Sequence, residues 1–323
     1  MRSYLLKRLL WLIPTLVGIT LVSFVVIHLA PGTPAAAGGM DPKMSSEARE
    51  KLTRLYGLDK PLPVQYADWV TKLLRLDLGR SFADGAKVTH KIAEAVPVTL
   101  GVNLLALALS LIFGIWLGVY GAVRKDSPGD RALTAAALAF YAMPTFWLSL
   151  LLISFFGVGL RLLPVSGLTS VLYDDLSLFG KAADIASHLV LPVLVLTLVS
   201  LAGISRFIRA GMLYALSQNY VRTARAKGLP ERTVVYKHAL RNALLPVITI
   251  LGLSVPGLLG GSVVLESIFS IPGMGRLFYG AVFARDYPLI MGILVLGAVL
   301  TLLGNLAADI AYRFADPRLR AER

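Results

Sequence analysis

The sequence of 323 residues contains no cysteine and few charged residues. The absence of cysteine excludes disulfide bonds, cysteine-ligated metal sites and thiol chemistry. Charged residues make up 16% of the chain and hydrophobic residues 56%, whereas an average soluble domain carries about 25% charged residues. Because the apolar residues form long runs, the composition predicts a protein with several membrane spans.

Common catalytic motifs are also missing. The chain has no Gly-x-x-x-x-Gly-Lys-Ser/Thr phosphate loop, no His-Glu-x-x-His zinc motif and no Gly-x-Ser-x-Gly nucleophile motif. Its four histidines are scattered through the sequence, at His28, His90, His188 and His238. We therefore predict no metal site, no bound cofactor and no enzymatic activity of the chain's own.

Six apolar segments are long enough to cross a bilayer, whose core of about 30 Å needs about 20 helical residues. They cover residues 9–30, 99–123, 132–157, 189–207, 244–265 and 289–308. Helices satisfy their own backbone hydrogen bonds in lipid, so we expect a single all-α domain over residues 1–323. The first run is longer than the roughly 7–15 apolar residues of a cleaved signal peptide, and we expect it to remain as a span.

The basic residues predict the orientation in the membrane. The net charge is +13, and Lys and Arg concentrate before the first span, in residues 124–131 and 206–241, and in the C-terminal tail. By the positive-inside rule these segments and both termini are cytoplasmic. The basic charge thus reflects topology and contact with anionic membrane lipid, and predicts no nucleic-acid partner.

The segment 31–96 between the first two spans is predicted to form a small helical extracytoplasmic cap. One short helix over 47–56 should stop at Gly57, and a second should end at Gly79. The cap either packs on the bundle or also contacts an external partner. The apolar face of the second helix consists of Tyr66, Trp69, Val70, Leu73 and Leu74.

Prolines and glycines interrupt several spans. Pro144 lies inside the third span and Pro192 near the start of the fourth. Gly114 and Gly118 have the spacing that permits close helix approach. In the fifth span such residues either serve packing alone or form a hinge that lines a pathway. These candidate hinge residues are Pro256, Gly257, Gly260 and Gly261.

Two acids stand out near the membrane. Asp309 is the only acid well inside a predicted span, and it either forms a local ion pair with Arg313 or has a functional role. Glu266 lies at the outer end of the fifth span. It could close an outer gate by pairing with Arg276 or Arg285, meet an extracytoplasmic partner, or simply be solvated.

The basic loop 206–243 is predicted to contain a short helix over residues 220–227. Gly228 supplies a left-handed stop, and Pro230 starts a second helix with Glu231 in its first turn. Arg222, Arg225 and Lys227 would project around two small alanines. Such a helix fits a groove on a cytosolic partner, although a solvated basic loop would have a similar composition.

At these residues the chain resembles a known family. RTARAKG, followed by Leu245 and Pro246, is similar to the Glu-Ala-Ala loop of importer permeases of the ATP-binding-cassette class, in its dipeptide, oligopeptide and nickel branch. The resemblance extends over nearly the whole chain. The further motifs are YLLKRLLWLIPTLVGITLVSFVVIHLAPGTP, DLGRSF, MPTFWLSLLLISFF with LLPVSG, SVVLESIFSIPGMGRLFYGAVFARDYPLIMG, and DPRLR.

The resemblance implies a transport subunit of a bacterial or archaeal plasma (inner) membrane. A homologous second permease, two cytosolic ATPases that bind ATP and Mg²⁺, and an extracytoplasmic substrate-binding protein would be its partners. Arg222 replaces the acid of the general loop pattern, so the ion pair which that acid makes in other branches is not expected. The implied coupling helix consists of Arg222, Thr223, Ala224, Arg225, Ala226, Lys227, Gly228 and Leu229.

The resemblance implies peptides as the most common cargo, with nickel complexes, glutathione or sugars as other possibilities. An ion-coupled secondary transporter or a channel is the alternative function. Transporters of that kind often contain repeated halves with paired broken helices. The sequence contains no evident repeat and no centrally placed acid in a span, so we favour the importer permease.

Overall fold

The computed structural model describes residues 2–29, 56–244 and 260–315, a few positions within 47–54 and 247–258, and only the backbone of residues 2–10 and 307–315. This part of the chain is helical, and its only β-type pairing is an isolated bridge between Arg80 and Lys87. The predicted all-α class is therefore confirmed. The side chains of Asp309 and Arg313 are not among those described, so their predicted ion pair stays a prediction.

The described helices follow one another along the chain with short connections. Two of them continue into π-helical turns, α5 through Ile153–Gly159 and α8 through Val234–Ala239, after which α8 ends in the α-helical turn Leu240–Ala243. The helices are α1 (Arg2–Leu29), α2 (Leu62–Leu74), α3 (Val88–Val123), α4 (Pro128–Ala142), α5 (Thr145–Leu152), α6 (Leu178–Ser217), α7 (Asn219–Ala226), α8 (starting with Glu231–Thr233), α9 (Val263–Ile268), α10 (Met274–Phe283) and α11 (Tyr287–Ala315).

Four helical segments in the described part of the chain are long and apolar enough to cross a membrane. They are Trp11–Leu29, Val88–Val123, Leu178–Ser217 and Tyr287–Leu306. A fifth span is possible if α4 and α5 act together. Ten of the 22 residues of the predicted span 244–265 lie outside the described residues, so the count of six stays a prediction.

The third predicted span is not one straight helix. α4 and the α5 segment meet at 105°. Met143 is extended, with φ −77° and ψ 129°, and Pro144 begins the next helix with φ −58°. A proline disfavours helical geometry in the residue before it, which explains a break at this point. The sequence therefore predicted the position of the interruption, at Pro144, but not the angle between the two helices.

The chain divides into two compact units, and the first contains residues 1–99, 259–263 and 272–303. Its cap helix α2 packs on α1, where the Tyr66 and Thr20 hydroxyl groups lie 2.9 Å apart and the Tyr66 and Phe24 rings 5.3 Å apart. Packing of the cap on its own chain is thus confirmed. Gly57 has the left-handed φ of 67° expected of a helix stop.

Two details of the cap were predicted wrongly. α2 ends at Leu74 rather than near Gly79, because Leu76 itself adopts φ 59° and its N–H donates to the Leu73 carbonyl at 2.9 Å. Leu74 is 80% exposed and does not belong to the packed face. A left-handed leucine is uncommon, so the sequence offered only the later glycine as a stop.

The second unit contains residues 100–258, 264–271 and 304–323. Within it α3 approaches α6 closely, since a Cβ atom at Gly114 would lie 2.6 Å from Ile204 and one at Gly118 2.5 Å from Ile208. The predicted close approach at Gly114 and Gly118 is confirmed. The hydrophobic core of this unit continues from α3 and α6 into the basic loop after α6.

Candidate functional site

The basic loop after α6 is a folded structure. Gln218 is extended, with φ −77° and ψ 152°, and separates α6 from α7. The N–H of Val221 donates to the Gln218 carbonyl at 3.1 Å, which begins the first turn of α7. α7 therefore leaves α6 in a new direction at a defined residue, close to the start that sequence predicted.

One face of α7 is buried. Val221 and Ala224 pack into the core formed with residues of α6 and α8. Ala224, one of the two small alanines between the predicted projecting cations, faces the interior. The α6 and α8 residues in this core include Ile208, Met212, Ala215, Val234, Val235 and Ala239. Movement of α7 must consequently involve both neighbouring helices.

The opposite face of α7 is exposed and cationic. No acidic group pairs with Arg222 or Lys227 in the part of the chain that the structure describes. Exposed Tyr220 and Leu229, each two residues along the chain from one of these cations, add aromatic and apolar area. A cationic and aromatic surface on a rigid helix is suited to binding another protein.

Gly228 ends α7 in the left-handed conformation, with φ 73°. Its N–H donates to the Arg225 carbonyl at 2.9 Å, and Pro230 caps the following helix with φ −58°. A Cβ atom at Gly228 would meet no atom within 4 Å, so its requirement is the backbone angle rather than space. The predicted stop at Gly228 and start at Pro230 are confirmed.

An ion pair closes the turn around Gly228. Arg225 donates from Nε to Glu231 at 3.1 Å and from Nη2 at 2.6 Å. The hydrogen bonds from Arg225 lower the pKa of the Glu231 carboxyl below its usual value. Sequence reasoning missed this pair, although the two residues are close in the chain and opposite in charge.

The residues predicted at the outer end of the fifth span are distributed over both units. Glu266 on α9 belongs to the second unit and is 3% exposed, which excludes a freely solvated carboxylate. Arg276 on α10 and Arg285 before α11 belong to the first unit. The gate and docking roles of these three residues stay predictions.

The predicted hinge is described only in part. Pro256 lies outside the described residues, whereas Gly261 has φ 65° and residues 261–262 are not helical. Cβ atoms at Gly257 and Gly260 would meet no described atom within 4 Å. These glycines therefore are not required for close packing within the described part of the chain.

Comparison with known proteins decides the family. The model for the binding-protein-dependent transport system inner membrane component matches residues 110–321, and the model for the N-terminal part of such components matches residues 1–103. The chain belongs to this family of transport permeases. The matches together cover nearly the whole permease, including α7 and the turn at Gly228.

Curated relatives agree with this assignment over their full lengths. The permease is 44% identical over 320 residues to the oligopeptide transport system permease protein AppB of Bacillus subtilis, covering 99% of both chains. It is 42% identical to the di/tripeptide transport system permease protein DppB of Pseudomonas aeruginosa and 37% identical to the dipeptide transport system permease protein DppB of Escherichia coli K12, covering 100% of each chain.

A solved structure supports the fold alone. The permease is similar to an amino acid ABC transporter crystallised with histidines, with a TM-score of 0.50 and 16% identity. The similarity covers 70% of the permease and 94% of the solved chain.

The structure also assigns a position to the DLGRSF and ARDYP motifs of the permease. Asp286, which is buried, accepts hydrogen bonds from the Ser81 hydroxyl and, at 3.0 Å, from the Phe82 N–H. Lys91 donates to Ser81 at 3.1 Å and pairs with Asp84 at 2.6 Å. Both motifs were recognised in the sequence, but their contact was not predicted.

Proposed function

We propose that this permease forms half of a translocation pore for peptides, paired with a homologous second permease. ATP and Mg²⁺ would bind to two cytosolic ATPase subunits, and an extracytoplasmic binding protein would deliver the substrate. Peptides are proposed because relatives with 37–44% identity are named for oligopeptide, di/tripeptide and dipeptide transport. Family membership supports the importer over an ion-coupled transporter or channel.

The geometry of α7 is the observation that carries the coupling role. One face of α7 is held in the core by Val221 and Ala224, and its other face presents Arg222 and Lys227. A helix held in this way moves together with α6 and α8 when a bound partner pushes it. We propose that ATP binding draws the ATPases together and that α7 transmits their motion to the spans, alternating access between the two sides.

This role requires α7 to face the cytosol. The positive-inside distribution of Lys and Arg supports this orientation, with both termini also in the cytosol. We further propose that Glu266 helps to hold a closed outer gate, with Arg276 or Arg285 as its cationic partner. Its burial favours this gate over a contact with the binding protein, which needs an accessible side chain.

Co-purification and reconstitution test the proposed function. The four subunits are expressed together, purified in mild detergent and placed in vesicles with the binding protein and a labelled dipeptide. We expect the ATPases to remain bound and uptake to require ATP. Uptake of the dipeptide by this chain alone, driven by a proton or sodium gradient, would contradict the proposal.

A further inference from the structure

A partly buried ion pair joins the α3–α4 corner to α6, with the Arg209 side chain 30% exposed. Asp130, in the first turn of α4, is 4% exposed. Arg209 of α6 donates from Nη2 to the Asp130 carboxylate at 2.8 Å and from Nε to the Gly121 carbonyl at 3.3 Å. One guanidinium group thus holds the end of α3 and the beginning of α4.

Asp130 also organises the corner itself. Its carboxylate accepts a hydrogen bond from the N–H of Asp126 at 3.0 Å, while its own N–H donates to the Ser127 hydroxyl at 3.2 Å. The Thr134 hydroxyl lies 3.5 Å from the other carboxylate oxygen. The connection between α3 and α4 is therefore built around the same carboxylate that binds Arg209.

Two glycines provide the space for this arrangement. A Cβ atom at Gly121 would lie 2.6 Å from the Asp130 carboxylate and 3.2 Å from the Arg209 side chain. A Cβ atom at Gly129 would lie 2.5 Å from the Tyr120 hydroxyl. Contacts this close are not tolerated by a larger residue without displacement of the ion pair or of Tyr120.

Arg209 lies close to α7 along the chain. It precedes Ser217, the last residue of α6, by roughly 12 Å of helix. Its neighbour Ile208 and Met212 on the next turn belong to the core that contains Val221 and Ala224 of α7. The last turns of α6 are thus fixed to α7 by apolar packing and to the α3–α4 corner by charge.

A cavity of about 640 Å³ beside the ion pair is lined by residues of α3, α4 and α6, among them Leu117, Leu133 and Phe207. The cavity leaves part of the α4 surface without tight packing against α6. α4 nevertheless packs extensively on α6, and the ion pair adds a polar constraint to that packing. Removing one partner would leave a buried charge uncompensated, which makes such a pair effective at fixing two helices in one register.

We propose that Asp130 and Arg209 are positioning residues that transmit the movement of α7, through α6, to the α3–α4 corner and the bent α4–α5 segment. This inference rests on the proposed function, since it assumes that bound ATPases move α7. Without the pair, α7 and α6 would still move on ATP binding, but α4 would follow less. ATP would then be hydrolysed with less transport.

The test is the number of labelled dipeptides taken up per ATP hydrolysed by the complete transporter in vesicles. Arg209→Gln should lower this ratio by about fivefold or more, the usual size of coupling between sites. Arg209→Lys keeps the positive charge but loses the second hydrogen bond, from Nε to the Gly121 carbonyl, and should lower the ratio less. Arg131→Gln removes an exposed charge beside Asp130 and should leave the ratio unchanged.

A wild-type ratio in the assembled Arg209→Gln transporter would overturn the proposal. So would a reduced yield or melting temperature with an unchanged ratio, which indicates a purely structural pair. If Arg209→Gln does not assemble, the uptake ratio is measured in Arg209→Lys and in the nearly isosteric Asp130→Asn instead. A wild-type ratio in both of these variants contradicts the proposal. If the wild-type chain binds no ATPase, the proposed function itself fails, and the link fails with it.

Discussion

Arg225 and Glu231 join the two sides of the Gly228 turn through hydrogen bonds of 3.1 and 2.6 Å. Arg225 was one of the three cations that the sequence predicted to meet a cytosolic partner, but it pairs with Glu231 instead. Arg222 and Lys227 therefore remain as the cations of α7 that no described acid pairs with. The cations of this region therefore have two roles. Arg225 stabilises the turn at Gly228, whereas Arg222 and Lys227 are available to a partner.

Charge reversal at Arg222 should weaken binding of the ATPase. Exposed pairs contribute roughly 0.2–1 kcal/mol, so we expect a severalfold loss at most, and a smaller one at high salt. Arg225→Glu should also weaken binding, and adding Glu231→Arg should restore part of it by restoring attraction across the turn. Co-purified ATPase is measured at low and high salt. Wild-type retention in all variants would indicate an ordinary solvated face.

The Arg225–Glu231 pair should make the turn sensitive to acid. The pKa of Glu231 is lowered from its usual 4.5 by Arg225, so the stabilisation is fully present above pH 4.5 and is lost as pH falls through the lower folded-state value. Because the side chains are 44% and 57% exposed, solvent screening limits the effect to less than about 1 kcal/mol.

Hydrogen exchange of the Leu229 amide measures this loss, because its N–H donates to the Ala224 carbonyl at 3.4 Å across the turn. Protection should fall more on acidification below pH 4.5 in the wild type than in Glu231→Gln. The same loss of protection in both proteins would show that the pair does not stabilise the turn.

Gly118→Ala should destabilise the contact between α3 and α6. The new Cβ atom would lie 2.5 Å from Ile208 and 2.8 Å from the Ser205 carbonyl oxygen, and overpacking of this kind costs about 1–3 kcal/mol. The melting temperature in detergent should fall. The control is Gly101→Ala on the same helix, where a Cβ atom meets nothing within 4 Å. An equal melting temperature in both variants would contradict the close packing.

Glu266→Gln should raise ATP hydrolysis in the absence of the binding protein. In the proposed gate, loss of the carboxylate charge would release the closed outer state and shift the population towards the outward-open form. The control is Glu50→Gln, which changes an acid that is 67% exposed. A docking residue would instead leave basal hydrolysis alone and reduce only its stimulation by the binding protein. Wild-type basal and stimulated rates would remove both roles.

Local features of this fold were predictable from sequence. The stop at Gly228, the start at Pro230 and the break at Pro144 depend on backbone restrictions of single residues, which the sequence displays directly. The close approach at Gly114 and Gly118 followed from a four-residue spacing. The left-handed Leu76 was not predictable, because nothing in a leucine side chain favours that angle.

The partners of the buried acids Asp286 and Asp130 were not predictable for a different reason. Asp286 and Ser81 are 205 positions apart, and Asp130 and Arg209 are 79 apart. Spacing rules within one helix contain no information on such partners. In the sequence Asp130 falls in the basic segment 124–131, just before the predicted third span. Asp309 was therefore the only acid predicted to lie well inside a span.

The most direct test of the coupling role of α7 is Gly228→Val in the reconstituted transporter. A β-branched residue at φ 73° costs about 1–2 kcal/mol, which should displace the end of α7. Gly101→Val is the matched control, in open space without a left-handed angle. We expect ATP hydrolysis to continue in Gly228→Val while dipeptide uptake per ATP falls severalfold. Wild-type uptake per ATP in Gly228→Val would contradict the assignment of α7 as the coupling helix.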